Sequence, residues 1–290
     1  MKTIEITGLP SSGKSFIFNQ LIKEFKINKI SFSSKRKIII DFASKEKKLV
    51  FIEKLSLLYF RFLQMMKIFK IFIIIKNIFF KELKHETFYN YSSKKSVSKN
   101  LSYFFYNHYK KVCYKIFKDY YRDNKKFINF YIKSINNIFS DDYKKKKLFM
   151  NWFYEECASE YLANKYKDQI NFYINDEYFV HRAFIFLLSN KKINNVNISN
   201  YLKLCPIPKL LIVIKSSKYL IQKRQNKNHK KKNIFKYKDS YQYNLFNKLI
   251  KKLIIIIKKK TKVIILNNNF YKKNRMNSLF SKIANSVNEN

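Results

Sequence analysis

Two glycines serve the whole of a 290-residue chain, and both lie in one eight-residue run, GLPSSGKS, at residues 8–15. The run fits G-x-x-x-x-G-K-[ST], a loop whose backbone N–H groups curl around phosphate oxygens. Glycine is required there because a Cβ would block the backbone path. Two glycines placed at random would land in this spacing before Lys and Ser or Thr roughly once in ten thousand chains. A composition that has shed glycine elsewhere keeps it where a phosphate cradle demands it. The apolar run TIEIT precedes the loop and FIFNQLIKEF follows it. This supplies the strand, loop and helix order that the motif needs.

The rest of the composition says less about partners than its charge suggests. Lys+Arg 61 against Asp+Glu 19 gives a net charge of +42, which ordinarily points to nucleic acid or an anionic membrane surface. Here the excess is almost all Lys, with only six Arg, and it runs through every segment alongside surplus Asn, Ile, Tyr and Phe. That pattern is compositional bias, so the anionic partner is discounted. A hydrophobic share of 47% is enough for a buried core. Cys113, Cys157 and Cys205 form no C-x-x-C pair, and the four His form no metal-binding spacing. A reducing cytoplasm is therefore expected, and the N-terminus enters a strand pattern without signal-peptide character. Residues 55–80 are apolar but interrupted by Arg61, Gln64, Lys67, Lys70 and Lys76. A packed helix or pair of helices fits them better than a spanning one, with peripheral membrane association as the alternative.

The chain reads as strand at residues 2–7, helix at 15–25 and a candidate second strand, KIIIDF, at 37–42. A mostly helical stretch follows over about 47–167. Strand patterns return at 170–176, at the LLIVI of 205–217 and at 262–266, with helix-like segments between. Short apolar strands separated by helices predict an α/β fold with a parallel sheet in one domain, 1–290. The basic run KRQNKNHKKKN begins a lid-like segment at about 223–236.

In the loop, Lys14 is expected to reach the β- and γ-phosphates and Ser15 to ligate Mg²⁺, with the amides of Ser11, Ser12, Gly13 and Lys14 forming the cradle opened by Gly8. A metal or base carboxylate is then needed at the end of a neighbouring strand. Asp176 and Glu177 end an apolar run in a chain poor in acids; Asp41, ending KIIID, is the competitor. Arg182 and Arg224 stand out among the lysines, because a guanidinium grips phosphate through two bonds.

With these residues in place the chain resembles the P-loop nucleoside/nucleotide kinase group, which includes thymidylate kinase, deoxynucleoside kinases and adenylate-kinase-like proteins. GLPSSGKS, INFYINDEYFVHRAF and LLIVIKSSKYLIQKRQNK carry the resemblance, with KVIIL similar to the last strand of that group. It implies a three-layer Rossmann-like core, phosphoryl transfer from ATP with Mg²⁺ to a small-molecule phosphate acceptor, and an acceptor pocket beneath the middle helices. Carried over, Asp176 or Glu177 is the metal-associated or base carboxylate, and Lys223, Arg224 and Lys227 are lid cations. The acid is followed by Glu-Tyr-Phe and not by the Arg that often follows it in nucleotide kinases. Without a third glycine there is no D-x-x-G switch and no G-x-G-x-x-G site, and no N-K-x-D guanine motif occurs. The alternative is a protein that uses ATP as a switch without an acceptor, at a membrane or on nucleic acid.

Overall fold

In a computed structural model of the chain, the described residues are 1–68, 97–187, 195–227, 240–268, 277–279, 281 and 283. They form an α/β structure around one five-stranded, all-parallel sheet: β1 (Lys2–Gly8), β2 (Phe32–Ser34), β3 (Phe172–Asp176), β4 (Leu210–Lys215) and β5 (Lys262–Asn267), in the spatial order β2-β3-β1-β4-β5. Helix α1 (Lys14–Ile27) follows β1. A long, mostly helical stretch joins β2 to β3: α2 (Lys35–Glu46), α3 (Phe51–Ile68), α4 (Val97–Asp123), α5 (Lys125–Ile138) and α6 (Tyr143–Lys165). The short α7 (Phe179–Arg182), a 3₁₀ turn at Ala183–Leu187 and α8 (Asn195–Leu204) lead to β4. Helices α9 (Lys218–Lys227) and α10 (Ser240–Ile257) lead to β5.

Side chains alternate across the sheet, so its two faces divide the core. Ile4, Ile6, Ile174, Leu210, Ile212 and Ile214 point to the face covered by Ile17, Leu21 and Phe25 of α1 and by Leu279 and Ile283. Tyr173, Leu211 and Val213 point to the other face, where α2 to α6, α8 and α10 build the larger core. Burial on both faces explains why β4 reads as the unbroken apolar run LLIVI and does not alternate.

The expected second strand at 37–42 is corrected. KIIID lies within α2, and the strand is the preceding FSS, Phe32–Ser34. Three consecutive isoleucines satisfy a strand and a buried helix equally. Here Ile38, Ile39 and Ile40 are all buried, because α2 is wedged between the sheet and α6. Asp41 therefore ends no strand; it sits on α2 beside Lys37 at 2.6 Å and Arg61 at 3.4 Å. The helical stretch accordingly begins at Lys35, twelve residues before the expected 47. Residues 69–80 of the membrane-like segment, and 228–236 of the lid-like one, lie outside the described residues. Among the described residues, no helix is long and apolar enough to cross a membrane.

Candidate functional site at the carboxyl edge of the sheet

The chain leaves β1 toward β2 on one side of the sheet and leaves β3 toward β4 on the other side of β1. Such a reversal opens a crevice at the carboxyl ends of the two strands, the usual ligand position in open α/β sheets. The 8–15 loop leaves β1 on one wall of this crevice. Asp176, register partner of Ile6, ends β3 on the other.

The loop is built from unusual backbone angles. Gly8 (φ +152), Ser11 (φ +63) and Gly13 (φ +98) all have positive φ, and only glycine adopts such conformations without steric cost. A Cβ on Gly8 would stand 2.5 Å from the Ile214 carbonyl oxygen, and one on Gly13 would stand 2.2 Å from Asn268 Nδ2. Positive φ favours glycine at both positions, and at Gly8 the backbone of the adjacent strand leaves no room for a Cβ as well, whatever the loop binds. Gly13 is also the N-cap of α1, with no side-chain cap bond, so the helix opens with its positive end toward the crevice.

Lys14, the first residue of α1, is 6% exposed. Its Nζ donates to the Gly8 and Leu9 carbonyls at 3.1 and 3.3 Å and pairs with Glu177 Oε1 at 3.3 Å. At the next residue, Ser15 Oγ donates to Asp176 Oδ2 at 3.4 Å. The structure thus brings Lys14, Ser15, Asp176 and Glu177 together across the crevice from positions about 160 residues apart in the chain.

Burial is the main influence on Asp176, with Glu177 adding to it; its carboxyl is pushed up to about 6, against the pull of Lys35 and Lys14. For Glu177, burial works in the same direction but is outweighed. His181 when protonated, then Lys14, Arg182 and Lys35, hold that carboxyl below its ordinary range. Its side chain remains 43% exposed, so Glu177 is the ionised carboxylate presented to the crevice. Its φ of +86 is a conformation a glutamate adopts only at a cost. The kink aims the carboxylate back at Lys14 while its own N–H still donates to Ile6 at 3.2 Å.

Behind this pair lies a buried chain that sequence reasoning missed. His181 Nε2 is 3.5 Å from Glu177 Oε1, and its Nδ1 is 3.0 Å from Thr7 Oγ1. Burial, opposed by Glu177 and reinforced by Lys14, lowers the imidazole to about 3. His181 is neutral at pH 7, and Lys14 carries the charge that answers Glu177. Glu5, fully buried under the same turn, accepts the Val180 and His181 N–H groups at 3.1 and 2.7 Å. Burial raises Glu5 to about 8 despite those bonds.

The two singled-out arginines have different surroundings. Arg182 is buried against Glu156 of α6, with Nε at 2.9 and 2.8 Å from its two oxygens and Nη2 also bonded, and it lies over the Trp152 ring. It is the interior half of an ion pair. Arg224 of α9 donates from Nη1 to the Ser11 and Ser12 carbonyls at 3.3 and 3.0 Å and from Nη2 to the Asn268 carbonyl at 3.2 Å. Lys223 lies over the Tyr219 ring instead, and the side chain of Lys227 is outside the described residues. Ser216 and Asn268, which also reach the Ser12 carbonyl at 2.9 Å each, follow β4 and β5 in polar turns whose composition carries no sign of that contact. Among the described residues, no group of three or more His, Cys, Asp or Glu could by itself hold a metal ion.

Comparison of the sequence with protein-family models and with curated proteins finds no match to either.

Proposed function

We propose that the chain binds ATP with Mg²⁺ in the crevice between β1 and β3 and transfers the γ-phosphoryl group to a small-molecule acceptor, as a kinase of the P-loop nucleoside/nucleotide kinase type. The observation that carries this reading is the meeting of Lys14 and Ser15, at the start of α1, with Asp176 and Glu177 at the end of β3. A lysine, a hydroxyl, a helix N-terminus and two carboxylates at a sheet switch point are the parts phosphoryl transfer uses: positioning, charge neutralisation and a group to receive the acceptor's proton.

The donor set suits Mg²⁺. Ser15 Oγ and Asp176 are hard oxygen donors, and one or two such groups together with substrate phosphates are the usual protein share of a magnesium site. Bound there, the ion would neutralise charge on the phosphate oxygens. Lys14 would exchange its two carbonyl partners for β- and γ-phosphate oxygens, and the amides from Ser11 to Lys14 would line the cradle. Glu177, half-exposed and ionised, would orient the acceptor hydroxyl and take its proton, with neutral His181 beside the carboxylate on its buried side. The acceptor would lie on the Glu177 side, toward α2 and α6.

Calorimetric titration of Mg-ATP into the parent chain and Lys14→Ala tests this first: saturable binding by the parent and its loss in the variant are expected, and absence of binding by the parent rejects the reading. ATP consumption is then followed with nucleosides, nucleotides and sugars as acceptors. A second reading, ATP as a switch at an anionic membrane surface, draws on the outward face of α3, where Phe51, Leu58, Phe62 and Met65 are 50–80% exposed beside Lys54 and Arg61. It predicts ATP-dependent flotation with anionic vesicles and no acceptor-dependent turnover.

A further inference from the structure

The Ser12 carbonyl receives three donors from three separate places in the chain. Ser216 Oγ, just after β4, donates at 2.9 Å; Arg224 Nη1, on α9, at 3.0 Å; and Asn268 Nδ2, just after β5, at 2.9 Å. The donors are tied to one another. Arg224 Nη1 donates to Ser216 Oγ at 3.2 Å and Nη2 to the Asn268 carbonyl at 3.2 Å, while the Asn268 N–H donates to Lys215 at 2.7 Å. Arg224 reaches the neighbouring Ser11 carbonyl as well, at 3.3 Å. A carbonyl has two lone pairs, so three donors on one oxygen mark a point where the fold concentrates effort.

The Ser12 carbonyl and the Gly13 N–H belong to one planar trans peptide and point in opposite directions. A carbonyl held toward β4 and β5 leaves the Gly13 N–H directed away from them, toward the mouth of α1. The same contact accounts for the second glycine: Asn268 approaches so closely that a Cβ at residue 13 would strike it.

We infer that Ser216, Arg224 and Asn268 form a clamp that holds the Ser12–Gly13 peptide with its N–H turned into the phosphate cradle, making them positioning residues for nucleotide binding. The inference rests on the proposed nucleotide site and assigns Arg224 to the back of the loop, in place of a lid that closes over the terminal phosphate. The ligand class it serves is the diphosphate common to ATP and ADP, because the cradle, and not the γ-phosphate, is what the clamp shapes.

Arg224→Ala, Arg224→Lys and Asn268→Ala are titrated with Mg-ATP and with Mg-ADP. Losing a charge-assisted bond to the loop should weaken both nucleotides by the same factor, about tenfold, and Arg224→Lys should recover part of it. A loss confined to ATP would place Arg224 on the terminal phosphate and overturn the clamp, as would unchanged affinity for both. Amide exchange in the ligand-free chain separates this from failure of the nucleotide reading. Ser12 and Ile17 donate their N–H groups to Leu9 and Gly13 at 3.1 Å each, and both should exchange faster once the clamp is cut. If the parent binds no nucleotide, unchanged exchange at these amides still refutes the clamp and faster exchange still supports it. Should Arg224→Ala fail to fold by circular dichroism, Ser216→Ala, which removes one donor and no charge, is read by the same measurements.

Discussion

The carboxyl edge of the sheet and the helical stretch between β2 and β3 solve the burial of polar groups in different ways. In the helical stretch charges answer charges. Glu156 is closed by Arg182 and Lys35, and Glu155 by Arg36 at 3.2 Å and Tyr109 at 3.1 Å, among stacked rings such as Tyr131 on Phe153 at 3.9 Å. At the sheet edge, side chains answer the backbone: Lys14, Arg224, Ser216 and Asn268 all bond to carbonyls, and Gly8, Ser11, Gly13 and Glu177 have positive φ. Paired interior charges make a rigid support that does not exchange partners. Of these, Lys14 can release its two carbonyls to a ligand at little cost, since a carbonyl facing a crevice can take water instead, whereas Ser216, Arg224 and Asn268 bond to the Ser12 carbonyl from the β4 and β5 side. The difference separates scaffold from site without reference to any relative.

That contrast can be broken from either side. The largest expected effect is in the scaffold: Glu156→Gln strands a buried guanidinium and should lower unfolding stability by about 3–5 kcal/mol, measured by urea denaturation. Stability unchanged within error would mean the pair is not the internal support described. Gly8→Ala comes next, at about 3 kcal/mol, because the added Cβ meets the Ile214 carbonyl oxygen of the next strand, which cannot step aside. Gly13→Ala should cost less stability, since the atom it meets ends a side chain, yet should weaken nucleotide binding more than it weakens the fold; equal effects on both would erase the distinction between loop and scaffold.

Glu5 tests the boundary between the two regions. Its carboxyl is raised to about 8 in the folded chain, so between the ordinary carboxylate range and about pH 8 the native state keeps a proton that the unfolded chain has released. The stability of the parent relative to Glu5→Gln should therefore fall as pH rises from about 4.5 to about 8. A flat difference across that window, from denaturation curves at several pH values, would show that Glu5 is not held protonated. The smallest effect belongs to the half-exposed Lys37–Asp41 pair on α2, at 2.6 Å. Replacing both residues by Ala should move stability by less than about 1 kcal/mol, against the large loss at the buried Glu156–Arg182 pair.

Much of the site was legible because it is local. The strand, the loop with both glycines, and the helix beginning at Lys14 lie within one continuous stretch, where spacing alone carries the backbone requirement. The carboxylates were legible as a pair at the end of an apolar run. Their different surroundings were not, because those follow from Ser15 reaching Asp176 while Lys14 and His181 reach Glu177. The expected strand at 37–42 failed for a related reason: three isoleucines have no preferred periodicity, and they lie in a helix packed against α6.

By itself, then, the sequence determined the loop, the approximate places of four of the five strands and the α/β class, all of which depend on residue order and side-chain volume over a few turns. Only the tertiary structure decided the strand order, the inward turn of Arg182 to Glu156, and the contact of Ser216, Arg224 and Asn268 with one carbonyl. Those depend on which ends of the sheet meet in space, and a hydrogen bond between residues more than 200 positions apart leaves no local trace in the chain.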